Sequence, residues 1–316
     1  MAVNVGVIGV GMIGQDHIRR LTTVLAGANV VAVSDVNASK AQEVASRLTG
    51  AKVYAAGEDL IAADEVEAVI VASWEKPLAT TEADCSAIID AEAAFGRRLV
   101  QVGFMRRFDS QYRAMKETIA SGAIGAPLIF QSGHRNASAP AHFMKDMTLT
   151  DTAVHDIDIA RFLLDDEPVA ISVRAPRRNS RAGDLADPLL TLIDMRSGAL
   201  VAIETSVNIA YGYDIRGEVI GETGTVSLAE RNDVVVKANG AFSGRIAVDW
   251  RDRFAGAFDT EFRAFIAAAA KGGAAGPSSW DGYVATVATL AGVKALATGA
   301  REPIELRERP SLYAPE

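Results

Sequence analysis

The chain has 316 residues, is 49% hydrophobic and 23% charged, and carries a formal net charge of −8. That length supports two domains with a substantial core, and the acidic balance, with no dominant basic patch, excludes a nucleic-acid phosphate backbone as partner. The single cysteine, Cys85, excludes an internal disulfide framework and a cysteine-based zinc site.

Cys85 falls on a helical pattern, where a buried inert thiol is the default. No apolar run approaches the ~20 residues of a membrane span. The opening MAVNVGVIGVGMIG goes straight into a strand and glycine turn, without the basic start and cleavage site of a signal peptide. A soluble cytoplasmic protein is expected.

In chain order, residues 3–8 read as a buried strand and Gly14 to Leu25 as a helix. Residues 29–34 make a second strand, Lys40 to Leu48 a helix, 52–55 a short strand and Glu58 to Ala63 a helical turn. A strand over 67–73, a helix from Thr81 to Ala94 and a strand over 98–104 continue the alternation. Such alternation implies an α/β doubly wound parallel sheet of Rossmann type. A helix from Ser110 to Ser121 ends near Gly122, where a boundary between two units, 1–122 and 123–316, is expected. After a strand over 127–134 and a helix from Asp151 to Leu164, several alternating runs between Pro168 and Arg251 predict a large antiparallel sheet. Helices over 257–271 and 280–298 close the chain.

Gly9-Val10-Gly11-Met12-Ile13-Gly14 fits G-x-G-x-x-G, with a strand before it, a helix after it, and Asp35 lying 21 residues past Gly14 at the end of the second strand. That context is what a dinucleotide fingerprint requires. Gly9 makes the tight turn, Gly11 lets the backbone approach the pyrophosphate, Gly14 lets helix and strand pack, and the helix N-terminus favours the phosphates. Asp35 suits the ribose hydroxyls and repels a 2′-phosphate, which favours NAD over NADP. The alternatives are a flavin-binding or a non-binding unit. His17 reads as a polar helix position without a catalytic role.

In TDTAVHDID (150–158), Asp151, His155 and Asp158 are spaced to share one helical face. A carboxylate one turn away can orient an imidazole and raise its basicity, so His155 becomes a proton acceptor near neutral pH. Helix capping is the plainer role for Asp151, and a satisfied core histidine that for His155. The same spacing suits a metal, but His17, His134 and His142 offer no obvious third ligand, and none is expected. Lys76 precedes a proline at the C-terminal edge of a parallel sheet, where such sheets bind ligands, and an ammonium there can polarise a substrate hydroxyl. A surface lysine is the alternative.

GVIGVGMIG, Glu75-Lys76-Pro77, GFMRRFD (103–109), HRNAS (134–138), TDTAVHDID and YGYDI (211–215), in this order, resemble the Gfo/Idh/MocA oxidoreductase family, and within it the members that oxidise inositols. The resemblance runs from about residue 3 to residue 313. It implies a Rossmann domain followed by an α+β domain with a large open antiparallel sheet that serves as an interface, typically in homotetramers. It implies NAD-dependent oxidation of the axial hydroxyl of myo-inositol to the ketone, in myo-inositol catabolism. Lys76, Asp151 and His155 would be catalytic. Met105, Arg106, Asn136 and Tyr213 would line the polyol pocket. Gly9, Gly11, Met12, Ile13, Gly14, Asp35, Ser73, Trp74, Glu75 and Lys76 would hold the cofactor. Another sugar or polyol, such as glucose or scyllo-inositol, is the alternative substrate.

One departure stands out. Family members place a loop, a helix and a fifth strand between the ASW and EKP motifs; here Trp74 is followed at once by Glu75. A parallel crossover needs a dozen or more residues. A helix and strand burying on the order of 400 Å² of apolar surface would contribute roughly 10 kcal/mol, so a bare deletion calls for compensating rearrangement. Either residues are omitted between 74 and 75, or the sheet is one strand smaller. A truly shortened chain could be an NAD-binding regulator without turnover.

Overall fold

A computed structural model describes residues 2–72, 76–177, 179–229 and 234–314. The first half alternates strands and helices: β1 (Val3–Ile8), α1 (Met12–Arg19), β2 (Ala28–Ser34), α2 (Ala38–Ala45), β3 (Lys52–Tyr54), α3 (Gly57–Ile61), β4 (Ala68–Val71), α4 (Glu82–Phe95) and α5 (Ser110–Ala120). The strands form a parallel sheet in the order β3-β2-β1-β4, with Val5 opposite both Val30 and Ala68. β1 is central: Val3, Val5 and Val7 are buried on one face, and on the other Gly6 is buried against Leu60 with Asn4 and Ile8 half-buried. Local chemistry sets the helix ends. Asn37 caps α2 by accepting the Lys40 N–H, Thr81 caps α4, and α4 stops at Gly96, whose left-handed φ of 76° disfavours other residues.

The second half runs β5 (Pro127–Arg135), α6 (Val154–Leu164), β6 (Pro168–Arg174), β7 (Leu189–Met195), β8 (Leu200–Ser206), β9 (Asp214–Gly221), β10 (Thr225–Ser227), β11 (Val235–Ala238), β12 (Ala241–Gly244), α7 (Trp250–Ala269), α8 (Ser279–Thr298) and β13 (Glu302–Pro303). Seven strands form one sheet, ordered β10-β9-β5-β8-β7-β6-β13; β11 and β12 make a separate hairpin. The expected antiparallel sheet carries one parallel pair, β5 with β8, because α6, β6 and β7 intervene between them. Helices α6 and α8 pack on one face. The other face is open, with Leu190, Leu192 and Leu200 exposed. The C-terminal part returns to the parallel sheet: Arg20 on the turn after α1 pairs with Asp259 of α7 at 2.7 Å, and Tyr313 donates to Glu92 of α4 at 2.7 Å.

The expected strand over 98–104 does not form. Its neighbour in a doubly wound sheet would be a strand entering from between residues 74 and 75, and a β-prone segment without a partner has no ladder to join. Instead Glu92 accepts the Leu99 and Val100 N–H groups, the latter at 2.8 Å, and the Val102 N–H reaches the Pro277 carbonyl at 3.0 Å. Three helix ends also differ from expectation. α1 gives way at Arg20 to a wider π-helical turn, and a second π-turn over Thr148–Ala153 precedes α6. α7 begins at Trp250 rather than 257, because Asp249 caps it through the Arg251 N–H. Among the described residues no helix is long and apolar enough to cross a membrane.

Candidate active site

The glycine turn is built for close approach. Gly9 has a φ of 87°. A Cβ on Gly14 would lie 1.9 Å from the Gly9 carbonyl oxygen, so only hydrogen fits between helix and turn. A Cβ on Gly11 would meet nothing within 4 Å, leaving its outer face open. Gly11 is also the N-cap of α1 and makes no side-chain capping bond, so the first N–H groups of the helix are not satisfied that way. Met12 is exposed beside them and Ile13 is half-buried. The Asp35 carboxylate accepts the Val10 N–H at 2.7 Å and the Asn37 N–H at 2.8 Å. It is therefore fixed between the turn and the end of β2, with lone pairs left for a ribose. These residues fit a dinucleotide. Ser73, Trp74 and Glu75 lie outside the described residues, and so does the separation across the 74–75 junction.

Lys76 and the π-turn before α6 meet. The Lys76 ammonium donates to Asp151 twice, to Oδ1 at 2.6 Å and to the backbone carbonyl at 2.7 Å. The Lys76 side chain is 15% exposed and that of Asp151 42%, so the pair opens to solvent on the acidic side. His155, one residue into α6, is buried, and Phe104 meets its ring edge-on with centroids 6.1 Å apart. Neither ring nitrogen of His155 has a hydrogen-bond partner among the described residues, and Nδ1 is sealed from solvent.

The expectation that Asp151 raises the basicity of His155 is corrected by this arrangement. The Asp151 carboxylate is committed to Lys76, because the π-turn alters the register of the helical face. Burial, the Lys76 ammonium and the Arg106 guanidinium together hold the His155 pKa well below the ordinary imidazole value. The ring is therefore neutral at pH 7 and able to accept a proton. Asp158 does not join this face either. It lies in a separate buried cluster, accepting from Arg107 at 2.6 Å, with Arg107 also bound to Asp281 at 2.9 Å.

Behind the site sits a network that the sequence reading missed. Asp156, wholly buried, accepts from Arg106 Nη1 at 2.6 Å and from the Ser132 hydroxyl at 2.5 Å. His134 Nδ1 lies 2.8 Å from its other oxygen and 2.9 Å from Arg106 Nη2. Burial alone would raise the Asp156 pKa, but the adjoining Arg106 and His134 hold it far below the usual range. The His134 ring stands 6.4 Å from that of His155, centroid to centroid. The available signal was the acid directly after His155, which on a helix turns to the neighbouring face, where β5 lies.

The four residues expected to line a polyol pocket are placed differently from one another. Tyr213 stands edge-on to His134 at 5.9 Å, and burial pushes its hydroxyl up to about 12. Asn136 follows β5; its backbone pairs with Ser206 at 2.8 Å, and its half-buried side-chain amide has no partner among the described residues. Met105 is core. Arg106 is 1% exposed, with its guanidinium engaged by Asp156 and His134, so it supports the site from beneath instead of facing a ligand. Among the described residues no group of three or more His, Cys, Asp or Glu side chains is placed to hold a metal ion.

Two family models match the chain. Residues 3–74 match an oxidoreductase family with an NAD-binding Rossmann fold, and residues 112–227 match the GFO/IDH/MocA C-terminal domain. An inositol 2-dehydrogenase of Azotobacter vinelandii is 47% identical over 337 positions spanning all of both chains. Against the 316 residues here, that alignment leaves 21 of its 337 positions with no residue of this chain. Inositol 2-dehydrogenase 3 of Saccharopolyspora erythraea is also 47% identical, over 99% of this chain and 98% of its own. Among solved structures, the myo-inositol dehydrogenase of Lactobacillus casei in complex with NAD(H) and myo-inositol superposes with a TM-score of 0.96 at 35% identity, covering 99% of this chain and 100% of that one. With a family model matching each half of the chain and full-length relatives at 47% identity in agreement, this chain belongs to the Gfo/Idh/MocA family of NAD-binding oxidoreductases.

Proposed function

We propose that the chain oxidises a ring hydroxyl of myo-inositol to the ketone, with NAD as cofactor and Lys76, Asp151 and His155 as the catalytic groups. The observation that carries this reading is a lysine ammonium paired with a carboxylate and close enough to a buried imidazole to help hold that ring neutral. Gly9, Gly11, Met12, Ile13, Gly14 and Asp35 would hold the cofactor, Lys76 would touch it, and its nicotinamide supplies the acceptor for the hydride from carbon.

Lys76, fixed by two Asp151 oxygens, gives the substrate oxygen a positive neighbour as it develops alkoxide character. His155 takes the hydroxyl proton. Nδ1 is sealed in the interior, so Nε2 is the accepting atom. Holding the ring neutral prevents the base from being occupied before substrate arrives. Tyr213 and Asn136 supply donors and acceptors suited to the remaining hydroxyls of an uncharged ring. The Asp156 network sets the floor on which His134 and Tyr213 stand.

The test is absorbance at 340 nm with NAD and myo-inositol. The expected result is NADH formation, reduced ~10²–10⁴-fold in Lys76→Ala and His155→Ala. Tight NAD binding with no absorbance change would favour a regulator. Faster oxidation of scyllo-inositol or glucose would reassign the substrate.

The boundary between the two units is proposed near Gly122, and a cytoplasmic location fits a chain with one buried thiol. We also propose a homotetramer formed through the open face of the seven-stranded sheet. Leu192 lies opposite Ala202, and Leu200 opposite Asp194, on that uncovered face. Leu192→Lys should lower the mass measured by light scattering; an unchanged mass would remove this surface from the interface.

A further inference from the structure

His155 lacks the device that ordinarily orients a basic imidazole. In such bases the second ring nitrogen donates to a carboxylate or a backbone carbonyl, which fixes both the tautomer and the direction of the ring. Here Nδ1 is sealed in the interior and has no hydrogen-bond partner among the described residues. The acids beside it in sequence are committed elsewhere, Asp151 to Lys76 and Asp156 to Arg106, His134 and Ser132. The orientation of this ring therefore comes from packing.

Two rings reach it. Phe104 stands nearly perpendicular, at 80° with centroids 6.1 Å apart, and His134 is tilted by 51° at 6.4 Å. Phe104 is 1% exposed, and its N–H donates to the Val102 carbonyl at 2.8 Å. It belongs to a small apolar cluster, distinct from the main core, in which Val102, Val154 and Ala285 are buried and Leu78 and Val100 pack against them. Val154 is the residue before His155, and Leu78 follows Lys76 by two. One cluster thus holds the chain beside both proposed catalytic groups. α8 approaches it so closely that a Cβ on Gly282 would lie 2.6 Å from the Leu78 Cβ.

We propose that Phe104 is a positioning residue for the oxidation: its ring does for His155 what a hydrogen bond to Nδ1 does in other bases, aiming Nε2 at the substrate hydroxyl and keeping water off the imidazole. Phe104 acts through His155, and the inference rests on the reading of His155 as the base.

The test measures NADH formation from myo-inositol, and its pH profile, in Phe104→Leu, in Phe130→Leu and in the unsubstituted protein. Phe130 is a wholly buried core position on β5 and controls for a general loss of packing. A misdirected base slows turnover and leaves binding intact, so kcat for Phe104→Leu should fall at least tenfold, with KM for myo-inositol within twofold. The charged and titratable neighbours of the ring, Lys76, Arg106 and His134, all oppose its protonation and stay in place. Water admitted beside the smaller side chain relieves the burial, so the acid limb of kcat/KM should move up toward 6.5. Phe130→Leu should lower the melting temperature and move neither kcat nor the limb. Phe104→Met, unbranched and without a ring, should show the same pattern and replaces the leucine variant if that one does not fold. An acid limb at or above 6.5 in the unsubstituted protein would overturn the base assignment and this inference with it. A limb below 6.5 that the Phe104 variants leave in place, an unchanged kcat, or equal losses in Phe130→Leu would overturn this inference alone.

Discussion

Asp156→Asn keeps the shape of the side chain at the centre of the buried network and removes its charge. Arg106 stays 1% exposed with Nη1 directed at that position from 2.6 Å, so its charge loses its only carboxylate partner among the described residues. Leaving one member of a buried ion pair uncompensated costs about 3–5 kcal/mol. With a urea m-value near 3 kcal/mol per M, the unfolding midpoint should fall by about 1 M or more. The double variant Arg106→Met with Asp156→Leu removes both charges and should recover most of the loss, because paired apolar replacement of a buried ion pair is nearly neutral. Glu65→Gln, at a solvent-screened pair with Lys52, should leave the midpoint where it is. Urea titrations followed by fluorescence read all three. An Asp156→Asn midpoint equal to that of the unsubstituted protein, or a double variant less stable than the single, would refute the reasoning.

The remaining predictions concern the base and the cofactor turn. Because the folded His155 pKa lies well below its ordinary value, kcat/KM for oxidation should stay level as pH falls through 6.5 and decline only below it; an acid limb at or above 6.5 would count against His155 as the base. His134 is lowered as well, so below pH ~6.5 the unfolded chain binds more protons than the folded one, and thermal stability should fall with pH there. Gly14→Ala should disrupt the turn and lower both melting temperature and NAD affinity, whereas Gly11→Ala should melt normally and bind NAD at least tenfold more weakly in a fluorescence titration. Asp35→Ala should narrow the ratio of kcat/KM for NAD over NADP, since the carboxylate fixed at Val10 and Asn37 no longer opposes a 2′-phosphate.

The nucleotide end was legible because its determinants are local: a glycine turn, a strand before it, a helix after it and an acid one strand later. The sequence also singled out Lys76, Asp151 and His155 as candidates, but not the pairing of Lys76 with Asp151. Periodicity assumed an α-helix from Asp151, and the π-turn over 148–153 instead hands the Asp151 carboxylate to Lys76. Asp156 and Asp158 have similar local context, yet one joins β5 and the other Arg107 and α8; only tertiary packing decides between those faces. The segment 98–104 has strand composition and no strand, because a strand needs a partner; its N–H groups go to Glu92 and the Pro277 carbonyl instead. α7 starts seven residues early because capping by Asp249 lies outside the apolar period.

Hydride transfer itself can be followed with myo-inositol carrying deuterium at C2. The account predicts that the deuterium appears on the nicotinamide ring, raising the mass of the NADH formed by one unit, and that His155→Ala slows its appearance ~10²-fold or more. NADH of unlabelled mass, or transfer as fast without the imidazole as with it, would contradict the claim that Lys76 and His155 act together on that carbon.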